Sequence, residues 1–109
     1  MALEEGTIIF NYQRALGQAN ELDEIAESLK NLASNDFDET LQNISANWKG
    51  DNAINYLSKG KILEGKMNTT SRSLNGIAND IRKIAKQIYD TEMKNLEIAR
   101  SREYQVQTK

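Results

Sequence analysis

The sequence has 109 residues, a formal net charge of −2 and a mean hydropathy of −0.68, which fits one small domain. It contains no cysteine, histidine or proline, so it lacks a disulfide framework, the best zinc ligands and the strongest helix breaker. We therefore expect no enzyme, no metal or other cofactor, and no nucleic-acid surface. No apolar run is long enough for stable membrane insertion, and no secretory signal peptide is recognisable.

The first predicted element is a helix over about residues 9–48. Ser34, Asn35 and Asp36 are poor helix-interior residues, so a bend near Asn35 is an alternative to a straight helix. The apolar stripe crosses this point without changing phase, which favours one continuous helix. Its members recur every three or four residues, the spacing of one helix face: Tyr12, Ala15, Ala19, Leu22, Ala26, Leu29, Ala33, Phe37, Leu41, Ile44 and Trp48.

A turn is predicted at residues 49–51. Gly50 can adopt the left-handed conformation that ends a helix at low cost. Asp51 can then accept hydrogen bonds from the first free amides of the next helix. Trp48 continues the apolar stripe, so we expect its ring to cover the loop end of the seam between the helices. A reversal over so few residues makes the two helices antiparallel neighbours.

The second helix is predicted over about residues 52–101, followed by a frayed tail at 102–109. Its stripe from Leu63 to Ile88 alternates intervals of four and three residues, which is a heptad pattern. Gly60 is in phase with Leu63 and Met67, so we expect a partner helix to approach closely there. The predicted fold class is all-α, an antiparallel two-helix hairpin forming a single domain over residues 1–109.

Charge is divided between the two halves of the chain. Residues 1–50 carry three basic and nine acidic side chains, a net charge of −6, and residues 51–109 carry eleven basic and seven acidic ones, a net charge of +4. Oppositely charged halves suit an antiparallel pair, within one chain or between two copies. Each exposed ion pair contributes only about 0–1 kcal/mol, so orientation is the main benefit.

Two helices alone leave part of each apolar stripe in water, and such a surface normally marks an association site. Two hairpins pairing into a four-helix bundle would cover it. A free-standing hairpin with a wide apolar stripe is the alternative. The predicted association face consists of Leu22, Leu29, Phe37, Leu63, Met67, Leu74, Ile77, Ile81 and Ile88.

The tripeptide Trp48-Lys49-Gly50, in the turn between two helices of a chain of this length, resembles the WXG superfamily, the small ESAT-like proteins of type VII secretion. The resemblance covers roughly residues 8–100. It implies a helical hairpin that forms homodimers or heterodimers and is exported folded without a cleaved signal. The implied partners are a second copy, a WXG-like protein or the targeting domain of an LXG-type toxin, and an FtsK-like secretion ATPase.

One family feature fits poorly. Members carry a Y-x-x-x-D/E export motif near the end of the second helix, but here the acid Glu92 follows Tyr89 by three residues and Met93 occupies the required fourth position. Tyr89 and Glu92 still present an aromatic ring and an acid on neighbouring helix surface, as a candidate divergent export signal. In the alternative, Tyr89 borders the packing stripe, Glu92 is solvated, and a partner supplies the signal.

The predicted function is that of a secretion-associated interaction protein. It would be a secreted substrate itself, or a targeting or chaperone partner of a larger effector such as an LXG toxin. It would lie in the cytoplasm before export, and afterwards be secreted or at the cell surface of a Gram-positive bacterium. A structural or regulatory helical module unrelated to secretion is the alternative.

Overall fold

The computed structural model describes the backbone of residues 4–107 and the side chains of residues 4–103. The chain forms the predicted antiparallel two-helix hairpin, and the described residues contain no strand. Helix α1 (Glu5–Asn31), a π-helical turn (Leu32–Phe37, the π turn) and helix α2 (Asp38–Asn47) make up the first arm. Helix α3 (Asp51–Gln107) is the second arm.

The helices extend further at their outer ends than the sequence indicated. Helix α1 begins at Glu5 instead of about residue 9, and α3 continues to Gln107, past the end expected near residue 101. The segment 102–107, expected to fray, is helical, while residues 108 and 109 lie outside the described residues. Residues 101–107 contain neither proline nor glycine, so nothing in them breaks a helix, although they continue no apolar stripe.

The first arm is continuous, as the apolar stripe predicted, but its winding changes at the π turn. The backbone N–H of Asp38 is shared between the carbonyls of Ala33 and Asn35, and the bond to Ala33, five residues earlier, is the π-helical pattern. Asn31 and Asp38 on either side have ordinary right-handed helical dihedrals. The structure therefore has a widened turn inside a continuous helix at the place where the sequence left a bend near Asn35 as an alternative.

The hairpin divides into two compact units, each containing part of both arms. Unit 1 comprises the described residues of 1–20 and 78–109, and unit 2 comprises residues 21–77. In unit 1, Arg100 Nη2 lies 3.3 Å from Glu5 Oε2, and Arg82 donates to the side-chain oxygen of Asn20 at 2.8 Å. These contacts confirm that the arms run antiparallel in this unit.

Unit 2 contains the loop end of the hairpin. Lys61 Nζ on α3 lies 2.9 Å from Asp38 Oδ1 on α2, and the hydroxyl of Ser71 donates to the carbonyl of Ala26 at 2.7 Å. The Ser71 bond is buried, whereas the ion pair is exposed. In both units a basic residue of α3 meets an acid of the first arm, which is the pairing that the divided charge predicted.

Small side chains form most of the buried contact between the arms. On α3 the buried residues Ser71, Ala78 and Ala85 lie seven apart. Ala78 follows Ile77 by one residue and Ala85 follows Ile84, so the buried row lies beside the predicted heptad stripe and not on it. Buried apolar residues among those described are Ile8, Ala19, Ala26, Ala33, Leu41, Ala53, Ala78 and Ala85.

Gly60 forms a notch in α3 that receives Leu41 of α2. Leu41 is only 5% exposed. A methyl group on residue 60 would overlap Leu41 Cδ2 and lie 3.3 Å from Leu41 Cδ1. The close approach predicted at Gly60 is therefore confirmed. A methyl group on Gly65 would meet nothing within 4 Å.

The two glycines give a matched pair of substitutions. Gly65→Ala should raise the free energy of unfolding by about 0.5–1 kcal/mol, because alanine is the better helix former and the site is open. Gly60→Ala should gain no stability, because displacing Leu41 costs about 1–3 kcal/mol in a packed contact. Urea unfolding followed by circular dichroism measures both. Equal stabilisation by the two substitutions would contradict a filled notch at Gly60.

Candidate functional site

The turn between the arms begins earlier than the sequence indicated. Helix α2 ends at Asn47, and Trp48 already has extended backbone dihedrals, φ −127° and ψ 126°. The N–H of Trp48 still donates to the carbonyl of Ile44 at 2.8 Å. Lys49 Nζ donates to the carbonyl of Ser45 at 3.3 Å, so a cation lies at the negative end of the helix.

Gly50 begins the second arm and does not itself end the first. Its φ of +107° lies in the region that favours glycine, in keeping with the positive φ predicted there. Its carbonyl accepts the N–H of Ile54 at 3.1 Å, the first bond of α3, so Gly50 occupies the N-cap position. Asp51, expected at that position, is the first helical residue, where its carboxylate still suits the positive end of the helix.

Trp48 packs against Tyr56 from the first turns of α3. The ring centroids lie 5.3 Å apart with an interplanar angle of 45°, a favourable tilted arrangement. Trp48 remains 43% exposed and Tyr56 63% exposed. The tryptophan therefore covers only part of the loop end, and the two rings present an aromatic surface to solvent.

An apolar stripe runs along α3 on the surface of the hairpin. Leu63, Ile77, Ile84 and Ile88 are each between 49% and 53% exposed. Leu63, Ile77 and Ile84 are separated by multiples of seven residues, so they lie on one row of the helix. We call this row, together with Ile88, the α3 stripe. It is one part of the apolar surface that the hairpin leaves exposed.

The predicted association face is partly exposed throughout. None of its nine residues is buried by the hairpin: Leu63, Ile77 and Ile88 are exposed, and Leu22, Leu29, Phe37, Met67, Leu74 and Ile81 are half-buried. Ile25 and Leu32 of the first arm, which the sequence places beside this face, are exposed as well. Each follows a member of the face, Leu22 or Leu29, by three residues and so shares its side of the helix.

Unit 1 contains an apolar groove of about 290 Å³ between the arms. One wall is an aromatic stack, in which the rings of Tyr12 and Tyr89 lie 4.7 Å apart at 28°. Lys86 Nζ lies 5.4 Å from the Tyr89 ring centroid. The groove is also lined by isoleucines and alanines of both arms, Asn11 and Glu92. Tyr89 and Glu92 thus lie on one concave surface, although Tyr89 is also a packing residue of unit 1.

Exposed ion pairs accompany these surfaces without forming a reactive site. The Lys61 ammonium donates a hydrogen bond to Asp38, which lowers the pKa of that carboxyl and raises the pKa of Lys61. Asp90 raises the pKa of Lys86 in the same way, across 2.7 Å. The Asp38–Lys61 pair joins the two arms, whereas the Lys86–Asp90 pair lies within α3, and neither pair forms a poised acid or base.

Among the described residues, no helix is both long and apolar enough to span a bilayer. Over the same part of the chain, no three His, Cys, Asp or Glu side chains gather where a metal ion could bind.

A family model described as "WXG100: Proteins of 100 residues with WXG" matches residues 7–93. The chain belongs to the WXG100 family. No curated protein and no solved structure matches it. WXG100 proteins are small helical proteins associated with type VII secretion, so this association holds for the chain at the level of the family. The family tripeptide is Trp48-Lys49-Gly50, and the turn described above is the WXG turn.

The aromatic contact in the WXG turn can be measured by a double-mutant cycle of Trp48→Ala and Tyr56→Ala. We expect a coupling free energy of about 0.5–1.5 kcal/mol, because each single change removes the same ring contact. Denaturant unfolding of the wild type, both single variants and the double variant gives the value. Strictly additive losses would show that Trp48 and Tyr56 contribute separately to stability.

Proposed function

We propose that this WXG100 protein pairs with a second helical hairpin through the α3 stripe and the predicted association face, and that the pair is recognised by type VII export machinery. The proposal rests on the difference between the small residues that the hairpin buries and the large apolar residues that it leaves exposed. Alanine and serine side chains close the hairpin, while Leu63, Ile77, Ile84 and Ile88 remain about half exposed. Large apolar side chains left exposed on one side of a helix are typical of an association site.

A four-helix bundle of two hairpins is the arrangement that covers this surface best. Half-exposed leucine and isoleucine side chains at heptad spacing pack as knobs between facing helices. Burying one such side chain completely is worth about 1.5–3 kcal/mol relative to full exposure, so several half-exposed ones supply a substantial association free energy. The proposed partner is a second copy, a WXG-like protein, or the helical targeting domain of an LXG toxin.

Charge supports an ordered pairing of the arms. Residues 1–50 carry nine of the 16 acids and residues 51–109 eleven of the 14 basic residues, and within one chain they meet as Asp38–Lys61 and Glu5–Arg100. The same complementarity favours placing an acidic arm of one hairpin beside a basic arm of the next. No catalytic step, nucleic acid or stable membrane insertion belongs to this function.

The role of the protein depends on whether it or its partner carries the export signal. If Tyr89 and Glu92 act as a divergent signal, the protein is a secreted substrate that an FtsK-like ATPase recognises, exported from the cytoplasm of a Gram-positive bacterium. The stack of Tyr89 on Tyr12 and the departure from Y-x-x-x-D/E favour the second role. In that role the protein is a targeting or chaperone partner, and the larger effector carries the signal.

The dimer proposal can be tested by placing a charge in the α3 stripe. Ile77→Asp should raise the dissociation constant at least about tenfold, because desolvating a carboxylate in an apolar interface outweighs any contact it gains. Ile54→Asp is the matched control, since Ile54 is exposed but lies off the stripe. Sedimentation equilibrium measures self-association, and co-purification measures pairing with a WXG-like or LXG partner.

Several outcomes would contradict the proposal. One is a wild-type chain that stays monomeric at high concentration, alone and with these partners. Another is equal weakening by Ile54→Asp and Ile77→Asp, which would show that the stripe has no special part. Circular dichroism establishes that both variants keep the helical hairpin.

The export signal can be tested separately from the packing of unit 1. Tyr89→Ala with Glu92→Ala should abolish export if the pair is a signal. Tyr12→Ala is the matched control, because it removes the same ring stack but leaves Tyr89 and Glu92 in place. Immunoblotting of medium and cells in a host with an active type VII system measures export. Normal export of the double variant would assign the signal to a partner.

A further inference from the structure

The buried residues of the first arm do not keep one spacing. Ala19, Ala26 and Ala33 are fully buried and lie seven residues apart, but the next buried residue, Leu41, follows Ala33 by eight. Seven residues make about two α-helical turns, so an eighth would rotate Leu41 by about 100° away from the contact. One residue must therefore be absorbed between Ala33 and Leu41.

The π turn lies in this interval and holds the extra residue. The bond from the Asp38 N–H to the Ala33 carbonyl closes a ring one residue larger than an α-helical ring. Thr40 stands seven residues after Ala33 and would face α3 in an unbroken α-helix. It is exposed instead, and its hydroxyl donates to the carbonyl of Asp36 at 2.9 Å. The π turn thus exchanges Thr40 for Leu41 at the contact.

Two contacts within unit 2 define how α2 is rotated about its own axis. Leu41 occupies the notch at Gly60, where any side chain on residue 60 would collide with it. Asp38, three residues before Leu41, pairs with Lys61, the residue after Gly60. Positions three apart share one side of a helix, so both contacts are made together or lost together when α2 turns about its axis.

We propose that the π turn is a phase-shifting element that sets the rotation of α2, seats Leu41 at Gly60 and thereby positions Trp48 against Tyr56. Trp48 directly follows the last residue of α2, so a change in the rotation of α2 is carried into the WXG turn. The geometry of the turn therefore depends on a segment that begins sixteen residues before Trp48, at Leu32. The contacts that carry this inference all lie in unit 2, and it is independent of the proposed dimer.

Changing the length of the π turn tests the proposal. Deleting Asn35 restores a seven-residue interval, so the arm should become α-helical throughout with Leu41 still at Gly60. The melting temperature should stay within a few degrees of the wild type, and the emission maximum of Trp48, the only tryptophan, should not move. Inserting an alanine after Asn35 gives nine residues and should lower the melting temperature by about 10 °C or more, the scale of losing one buried leucine.

Deleting Ser73 is the matched control, because Ser73 is also an exposed polar residue of unit 2 but lies in α3, which has no π turn to compensate. This deletion should destabilise as strongly as the insertion. The proposal is overturned if deletion of Asn35 lowers the melting temperature as much as deletion of Ser73. It is also overturned if the alanine insertion is tolerated with unchanged Trp48 emission. All variants are compared at one protein concentration, because association shifts melting temperatures.

A rival explanation is that Ser34, Asn35 and Asp36 widen the turn because they are poor helix formers. Replacing all three with alanine separates the two accounts without changing chain length. Under the phase-shift account the register still requires eight residues, so Trp48 emission should be unchanged and the melting temperature equal or higher. A red shift of Trp48 emission in this variant would favour the rival explanation.

Discussion

Small side chains at the contact between the arms are the constraint on which the rest of the structure depends. Ala26, Ala33 and Ala78 let two helix backbones approach closely, because interaxial distance follows the size of the residues at the contact. Each contributes only a methyl group, at about 0.8 kcal/mol per buried carbon. The larger apolar residues lie beside the contact. Because small residues close the hairpin, the larger ones stay exposed and form the surface that a partner would cover.

Much of the fold could be predicted from local chemistry. A proline-free chain with two long apolar stripes and a glycine-centred turn has few alternatives to a helical hairpin. Gly60 was identifiable because a glycine inside a helix costs stability. Its position in phase with the stripe suggested that it makes room for a neighbouring helix. The positive φ at Gly50 could be predicted because the turn falls at this residue and glycine adopts a positive φ at low cost.

The remaining details depend on packing that a stripe does not specify. Hydrophobicity draws attention to Leu63 and Ile77, yet the buried row is the neighbouring one that contains Ser71 and Ala78. Alanine is only weakly apolar and serine is polar, so their row carries little hydrophobic signal. The π turn could not be predicted for a related reason. Phe37 and Leu41 continue the stripe in steps of four, which is an ordinary helical spacing, so nothing in the sequence indicated an extra residue.

Tyr89 illustrates how fold and function overlap in a protein of this size. Its ring stacks on Tyr12, lies beside the Lys86 ammonium and forms part of one wall of the unit 1 groove. A residue with so many contacts changes stability whenever it is substituted, whatever its part in recognition. Sequence spacing placed Tyr89 beside Glu92, but it could not show that Tyr12 holds the ring in place.

Ser71 has a consequence of a different kind. Its buried hydroxyl lies in a row that also contains Ala78 and Ala85, and it donates to the Ala26 carbonyl across the hairpin. Methyl groups tolerate small rotations and slides, whereas a buried hydroxyl that loses its acceptor costs about 1–3 kcal/mol. An all-alanine version of this contact would lose that directional bond. Ser71 therefore acts with Leu41 at Gly60 in selecting one alignment of the arms within unit 2.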